Sequence, residues 1–222
     1  MLEIPKVLSR EQLDSVAKML AGATFVDGKL SAGSRASTVK KNQELDPKHA
    51  STDELNEIVI GNLFRHPVFQ SAVLPSRVSA AFFARYTPGM AYGDHIDDPI
   101  MGAGDRYRCD VAITVFLNDP DSYDGGELEV RTPFGEQSVK LAAGNAFAYP
   151  ASSVHRVCEV SRGERLVAVA WAQSLVRDPA KRELLYDLDV ARQSLMGVTP
   201  KAIVTEKVDA VYANLVRMWA EP

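Results

Sequence analysis

Cysteine and long apolar runs are scarce in this sequence of 222 residues. The two cysteines, Cys109 and Cys158, are too few for a disulfide framework and are not spaced as CxxC, so we expect both to be reduced thiols. No apolar stretch reaches the roughly 18 residues of a membrane span, and the N-terminus lacks the basic and apolar segments of a secretion signal. These absences predict a cytoplasmic protein without a membrane segment.

A strong net charge is also missing. The chain carries 25 lysines and arginines against 29 aspartates and glutamates, a formal net charge of -4. Nothing in this balance favours a nucleic acid or an anionic membrane as a partner. The length fits one large domain, or one domain with a helical extension, and is sufficient to bury a core.

Helical patterns occupy the two ends of the chain. Ser9 and Gln12 form a capping box before an apolar face that stops at Gly22, and a similar pattern begins at Ser51. The polar residues 27–48 between these helices are predicted to be extended or mobile. Near the C-terminus a helix is predicted from 178 to 197 and another over 208–219, the first with an apolar face of Leu184, Leu185, Leu188 and Ala191.

The middle of the chain has the pattern of a β core. Short runs rich in β-branched and aromatic residues recur about every ten residues and are separated by Pro, Gly, Asp and Asn. They are residues 78–86, 110–117, 126–131, 137–141, 145–150, 154–160 and 165–171. This pattern predicts a sandwich or barrel at 78–174, packed against an N-terminal helical region at 1–77 and followed by a C-terminal helical extension at 175–222.

The stretch YGDHIDDP at 92–99 combines one histidine with three carboxylates. In an extended segment His95 and Asp97 point to the same side, so both can reach one metal ion while Ile96 faces away. The alternative is a turn whose aspartates cap backbone N–H groups.

His155 is the only other histidine of the predicted β core. Two imidazoles and one carboxylate form the ligand set of non-haem Fe(II) oxygenases. His49 and His66 lie in the helical N-terminal part, where we expect ordinary surface or helix-end positions.

Arg165 begins the strand that follows His155, after the turn 161–164. Along a hairpin the two residues would be separated by about four strand positions, or roughly 13 Å. A metal-bound dicarboxylate held by the guanidinium could span that gap. The alternative is a strand-end arginine paired with Glu164 or Glu159.

The HxD pair, the histidine 60 residues after His95 and the arginine ten residues later together resemble the Fe(II)/2-oxoglutarate-dependent dioxygenases. The run RYTPGMAYGDHID at 85–97 is similar to the prolyl-hydroxylase branch. The length and the two helical ends resemble the bacterial PKHD-type hydroxylases, which are often linked to iron uptake. The resemblance covers essentially the whole chain.

The resemblance implies a double-stranded β-helix, or jelly roll. It also implies that His95, Asp97 and His155 bind iron, that Arg165 binds the distal carboxylate of 2-oxoglutarate, and that O2 is the second cosubstrate and ascorbate an auxiliary reductant. Phe116 departs from the family pattern, because a second cosubstrate-binding tyrosine is expected there. Tyr86 or Thr114 is predicted to supply the missing hydroxyl.

The leading hypothesis is therefore an Fe(II)- and 2-oxoglutarate-dependent hydroxylase. Its substrate is a prolyl or lysyl side chain of a protein or a small molecule such as a siderophore. A zinc hydrolase and a non-catalytic jelly-roll module are the alternatives, although the first lacks an HExxH pattern. The glycine-bearing loop 98–110 is either a substrate lid or a plain connection. Trp171 either matches an aromatic residue that closes the last strand in the family or is an ordinary core residue.

Overall fold

The structure, a computed structural model, describes residues 1–102 and 104–221. The helices are α1 (Arg10–Ala21), α2 (Ala36–Val39), α3 (Thr52–Arg65), α4 (Pro67–Val73), α5 (Pro179–Val198) and α6 (Ile203–Trp219). The strands are β1 (Leu2–Ile4), β2 (Phe25–Asp27), β3 (Lys40–Lys41), β4 (Gln43–Leu45), β5 (Pro75–Val78), β6 (Phe82–Tyr86), β7 (Ala91–His95), β8 (Ile100–Met101), β9 (Tyr107–Arg108), β10 (Val111–Phe116), β11 (Tyr123–Gly125), β12 (Leu128–Thr132), β13 (Gly135–Val139), β14 (Ala146–Pro150), β15 (His155–Val157), β16 (Val160–Gly163) and β17 (Arg165–Ser174).

Two antiparallel sheets form the centre of the molecule. The larger sheet has the order β1-β14-β10-β17-β6-β4-β2, with β5 also paired to β17, and the smaller sheet has the order β13-β12-β15-β7-β3. Apolar side chains of the two sheets share one cluster, which includes Phe116 and Val167 from the larger sheet and Leu128 and Val157 from the smaller sheet. The two sheets therefore face each other as a double-stranded β-helix, which confirms the predicted fold class.

Strand β10 shows why the larger sheet is buried on both faces. All six of its residues are buried, and successive side chains point to opposite faces. Val111, Ile113 and Val115 pack in a cluster with apolar residues of α1, α3 and α4, whereas Ala112 and Phe116 belong to the cluster between the sheets. The N-terminal helices thus cover the outer face of the larger sheet and leave its inner face for the site.

Most of the predicted elements are confirmed. The capping box at Ser9 is formed, since its hydroxyl accepts from the Gln12 N–H and the Gln12 side chain accepts from the Ser9 N–H. Asp178 caps α5 as expected. None of the helices in the described residues has the length and apolar character needed to cross a membrane.

One local prediction was incomplete and another was wrong. Residues 27–48 contain α2, β3 and β4, and β3 and β4 join the smaller and the larger sheet respectively. Strands of two or three residues have no detectable period, which is why the sequence pattern missed them. In α5, Leu184 is 61% exposed, and the buried positions are Leu185 together with the polar Arg182 and Asp189.

Replacing the capping residue should lower stability by a defined amount. We expect Ser9→Ala to destabilise the protein by about 1 kcal/mol, because the Gln12 N–H loses its acceptor. For a chain of this size the melting temperature should fall by about 2–4 °C, measured by circular dichroism. Ser15→Ala in the same helix is the control, since alanine has the higher helix propensity. An unchanged melting temperature for Ser9→Ala would contradict the role of the cap.

Candidate active site

The pairing of β7 with β15 brings two histidines together. His95 is the last residue of β7, His155 is the first residue of β15, and the two are direct partners in the ladder. Asp97 follows β7 by two residues, and its Oδ1 lies 3.7 Å from Nε2 of His155. One ligand atom from each of the three side chains lies within 4.8 Å of the others. The structure thus assembles the three predicted metal ligands at one point.

Both imidazoles are fixed by the same local contact. Nδ1 of His95 lies 2.8 Å from the carbonyl oxygen of Gly93, and Nδ1 of His155 lies 3.0 Å from that of Ser153. A carbonyl oxygen can only accept, so each Nδ1 carries the proton and each Nε2 keeps a free lone pair. The acceptor that orients each histidine is therefore the backbone two residues earlier.

Burial shifts the pKa of His95 and of Asp97. Burial, followed by the nearby His155, lowers the pKa of His95 to about 4, so its imidazole is neutral at neutral pH. Burial also raises the pKa of Asp97, while His155 acts in the opposite direction. Oδ2 of Asp97 is buried and has no hydrogen-bond partner among the described residues. Two imidazoles that each direct Nε2 away from a backbone carbonyl and a carboxylate with an unsatisfied oxygen fit a divalent iron ion, since the cation would stabilise the ionised carboxylate.

Arg165 lies on the sheet opposite the metal ligands. The hairpin predicted to join His155 and Arg165 was wrong, because β15 belongs to the smaller sheet, β17 belongs to the larger sheet, and β16 between them pairs with β11. The arginine is 1% exposed, and its side chain lines the same cavity as the three ligands. The expected proximity is therefore obtained across the space between the sheets.

Arg165 is a buried cation that forms no salt bridge among the described residues. Its Nε has no hydrogen-bond partner within the described residues. The alternative pairing with Glu164 is not formed, since that carboxylate lies 3.8 Å from Nε of Arg85 instead. The guanidinium carbon is 5.1 Å from the Tyr86 ring centroid and 5.7 Å from that of Phe116. Aromatic faces thus support the guanidinium, and its Nε–H group remains available to an anion.

Gly126 provides the space for the stem of this arginine. Its φ is +70°, and a Cβ at this position would lie 2.9 Å from Cδ of Arg165. Only glycine adopts that backbone conformation without strain while permitting the close approach.

The ligands and Arg165 line one cavity of about 480 Å³ between the sheets. Tyr86 and Thr114, the two candidates for the missing hydroxyl, both line it. Trp171 lines it as well and also packs against the apolar cluster between the sheets. Its backbone is held by Ser79, and its indole Nε1 has no hydrogen-bond partner among the described residues. His49 and His66 instead contact neighbouring backbone groups, as expected.

A second buried cation was missed by the sequence analysis. Lys40 is 7% exposed, lines the cavity, and donates from Nζ to Glu44 at 2.5 Å and to Ser31 at 3.0 Å. Its ammonium lies 5.2 Å from the ring centroid of Tyr92, which stacks on the imidazole of His95 at 3.6 Å. No periodic signal marks this segment, so only the fold shows that residues 31–44 form a wall of the site.

The loop 98–110 also contributes to the cavity wall. It contains the hairpin of β8 and β9, and Asp98, Met101 and Tyr107 face the cavity. Arg77 holds this hairpin from β5, since its Nη1 donates to Asp105 at 2.8 Å and its guanidinium lies 4.6 Å from the Tyr107 ring centroid. Residue 103 of the loop lies outside the described residues.

Comparisons with known proteins agree with this geometry. A sequence model of the 2OG-Fe(II) oxygenase superfamily matches residues 81–173, and one of the PKHD-type hydroxylase C-terminal domain matches residues 179–221. A PKHD-type hydroxylase of Thioalkalivibrio sulfidiphilus is 54% identical over 100% of this chain and 99% of its own. The chain belongs to the PKHD-type hydroxylases.

Other relatives agree with this assignment. A PKHD-type hydroxylase of Acaryochloris marina is 48% identical over 99% of both chains. The fold is also similar to that of a Trichoplax adhaerens prolyl hydroxylase, with a TM-score of 0.55 and 15% identity over 82% of this chain and 86% of that one. A Pseudomonas putida prolyl-4-hydroxylase gives a TM-score of 0.50 and 21% identity over 78% and 91%. The protein is thus a hydroxylase of the 2OG-Fe(II) type, with the His-Asp-His triad in place.

Removing any one of the three ligands should abolish metal binding. We expect His95→Ala, Asp97→Ala and His155→Ala each to lose most of their affinity for Fe(II), because two remaining ligands leave the site open. Anaerobic titration of the folded variants is the measurement, and His66→Ala is the control. If two of the three variants bind iron as tightly as the parent, this ligand set is incorrect.

Releasing the β8–β9 hairpin should expose it to protease. We expect Arg77→Ala to be cut within 98–110 several times faster than the parent, because the contacts to Asp105 and Tyr107 are lost. Arg10→Ala, which removes an exposed ion pair of α1, is the control. Timed proteolysis followed by mass spectrometry locates the cuts. Equal rates for Arg77→Ala and the parent would show that Arg77 does not hold the hairpin.

Proposed function

We propose that this hydroxylase binds Fe(II) through His95, Asp97 and His155 and binds 2-oxoglutarate between the iron and Arg165. The observation that carries the proposal is the guanidinium of Arg165, which is buried and whose Nε has no hydrogen-bond partner among the described residues. A buried cation is costly unless a partner compensates it, and an anion entering the cavity would be that partner. A zinc hydrolase gives this arginine no role, and a non-catalytic module needs no such cavity.

The contrast with Lys40 supports Arg165 as the anchor of the dicarboxylate. Both cations line the cavity, but Lys40 is already neutralised by Glu44. The guanidinium offers parallel N–H donors that match a carboxylate, whereas an ammonium acts as a point charge. The distal carboxylate of 2-oxoglutarate is therefore assigned to the Arg165 end of the cavity.

Tyr86 is proposed to assist at that end. It is the direct partner of Arg165 in the β6–β17 ladder and is 3% exposed. Burial raises its pKa to about 12, so its phenol keeps the proton and can donate a hydrogen bond. Its ring also supports the guanidinium, at 5.1 Å from the ring centroid.

When bound, Fe(II) and 2-oxoglutarate supply the oxidative chemistry, in which O2 and 2-oxoglutarate are consumed, succinate and CO2 are released and a C–H bond becomes C–OH. The protein contributes geometry. The backbone carbonyls of Gly93 and Ser153 hold the imidazoles in the binding tautomer. The neutral pair of Lys40 and Glu44 adds no net charge to the wall.

The size of the cavity supports a substrate whose reacting part is no larger than a side chain. About 480 Å³ must hold 2-oxoglutarate together with the reacting group, so the rest of a large substrate would lie outside. A prolyl or lysyl side chain of a protein meets this condition, and so does one arm of a siderophore. One comparison structure is a prolyl hydroxylase in complex with a hypoxia inducible factor peptide. Mass spectrometry for one added oxygen, in cell protein and in siderophores, distinguishes the two classes.

Two further proposals concern the auxiliary reductant and the cellular compartment. Ascorbate is the auxiliary reductant, as the family resemblance implies, and omitting it should lower the number of turnovers before activity is lost. The enzyme acts in the cytoplasm. Cys109 and Cys158 are both free thiols, which supports a reducing compartment.

Substitution of Arg165 tests the assignment of 2-oxoglutarate. We expect Arg165→Ala to weaken cosubstrate binding by about 2–5 kcal/mol, or roughly thirtyfold to several thousandfold, because a charge-assisted bidentate contact in a buried site is lost. Arg165→Lys should restore little, since an ammonium lacks the planar fork. Iron affinity should persist, because the arginine is not a ligand.

The measurement is anaerobic titration of 2-oxoglutarate into the Fe(II) protein, followed by the metal-to-ligand absorption band in the visible. Arg162→Ala is the matched control, since Arg162 lies three residues earlier and is exposed in an ion pair with Asp124. Equal cosubstrate affinity in the parent, Arg165→Ala and Arg165→Lys would reject the proposal.

A further inference from the structure

The cavity needs a hydroxyl that Phe116 does not provide. Phe116 faces inward from β10, with its ring centroid 5.7 Å from the Arg165 guanidinium carbon. Its ring can support the cation but cannot donate a hydrogen bond to a carboxylate. Another residue that lines the cavity can provide the hydroxyl.

Strand β14 places a tyrosine on the same inner face. Tyr149 is the partner of Ala112 in the β10–β14 ladder, and Ala112 is the partner of Trp171 in the β10–β17 ladder. Directly opposed residues share a face, so the three side chains form one row on the cavity side. The small side chain of Ala112 leaves space for the larger residues on either side. Tyr149 is 3% exposed and lines the cavity.

The ring of Tyr149 lies beside the metal ligands. Its centroid is 5.0 Å from that of the His155 imidazole, with the planes at 65°. Tyr149 therefore lines the cavity beside a metal ligand, and Arg165 lines the same cavity, in which 2-oxoglutarate is proposed to bind.

The hydroxyl can act as a donor, because a tyrosine phenol carries its proton at neutral pH. A protonated phenol beside a bound dicarboxylate donates, whereas a phenolate would repel it.

We propose that Tyr149 is a cosubstrate-binding residue, whose hydroxyl donates a hydrogen bond to a carboxylate oxygen of 2-oxoglutarate and so provides the donor missing at Phe116. Thr114 supports the phenol from the neighbouring strand. The inference rests on the proposed binding of 2-oxoglutarate in this cavity, and it adds a residue that the sequence motifs do not indicate.

Tyr86 has a different environment, which distinguishes the two tyrosines. Tyr86 lies directly opposite Arg165 in the ladder, and the guanidinium covers its ring. Its phenol has Asn42 as a hydrogen-bond neighbour, on the wall formed by β3 and β4. Tyr149 lies on the same face of the larger sheet, but on β14, which is separated from β6 by β10 and β17. Its ring is close to the metal ligand His155. The two hydroxyls therefore reach the cosubstrate from different directions.

The experiment is anaerobic titration of 2-oxoglutarate into the Fe(II)-loaded protein, with Tyr149→Phe compared with the parent. The variant keeps the ring and loses only the hydroxyl. We expect the dissociation constant for 2-oxoglutarate to rise by about tenfold to a hundredfold, the usual range for a lost hydrogen bond to a charged group. The dissociation constant for Fe(II) and the melting temperature should stay within about twofold and 2 °C of the parent, because the phenol is not a ligand.

Controls separate this role from a structural one. Tyr212→Phe changes a tyrosine of α6 that packs against Arg192 and should leave cosubstrate affinity unchanged. Thr114→Val should weaken cosubstrate binding less than Tyr149→Phe does. A parent that fails to bind 2-oxoglutarate would overturn the proposed function itself. If the parent binds it and Tyr149→Phe binds it equally well, or loses iron and cosubstrate affinity together, only the role of Tyr149 is rejected.

Discussion

The backbone pairing of β7 with β15 is the interaction on which the active site depends. It places His95 opposite His155, and the carbonyl two residues before each histidine orients its ring. A shift of one residue in this ladder would turn the imidazole of one strand to the other face of the sheet. The third ligand, Asp97, is positioned by the short segment that follows the end of β7. Metal binding thus depends on backbone hydrogen bonds that set the positions of the ligands.

The larger sheet, which faces the metal ligands, buries the positive charge of Arg165 without a salt bridge among the described residues. Arg165 lies among Tyr86, Phe116 and Gly126, which fill the space around its stem and guanidinium without neutralising it. Such an arrangement costs stability in the free protein, and binding of an anion recovers that cost. One sheet therefore holds unsatisfied metal-ligand atoms and the other an unsatisfied cation, so a metal-chelating dicarboxylate complements both.

Two kinds of feature made parts of the site predictable from the sequence: the local geometry of a strand and the small number of histidines in the β core. His95 and Asp97 share a side because strand residues alternate, and His155 was found because the β core has no other histidine. The roles of Lys40 and Glu44 were not predictable, since strands as short as β3 and β4 carry no period. The separation of β15 and β17 onto facing sheets, and the inward direction of Tyr149, depend on long-range register, which has no local signal.

The link between β3 and β4 restricts how the length of this segment can change. β3 ends at Lys41 in the smaller sheet and β4 begins at Gln43 in the larger sheet, so Asn42 alone joins them. Most surface loops absorb inserted or deleted residues without altering the elements they connect. Here a single residue acts as a spacer between two facing layers. A change of length at Asn42 would alter the width of the cavity at that edge, and with it the size of the substrate that can enter.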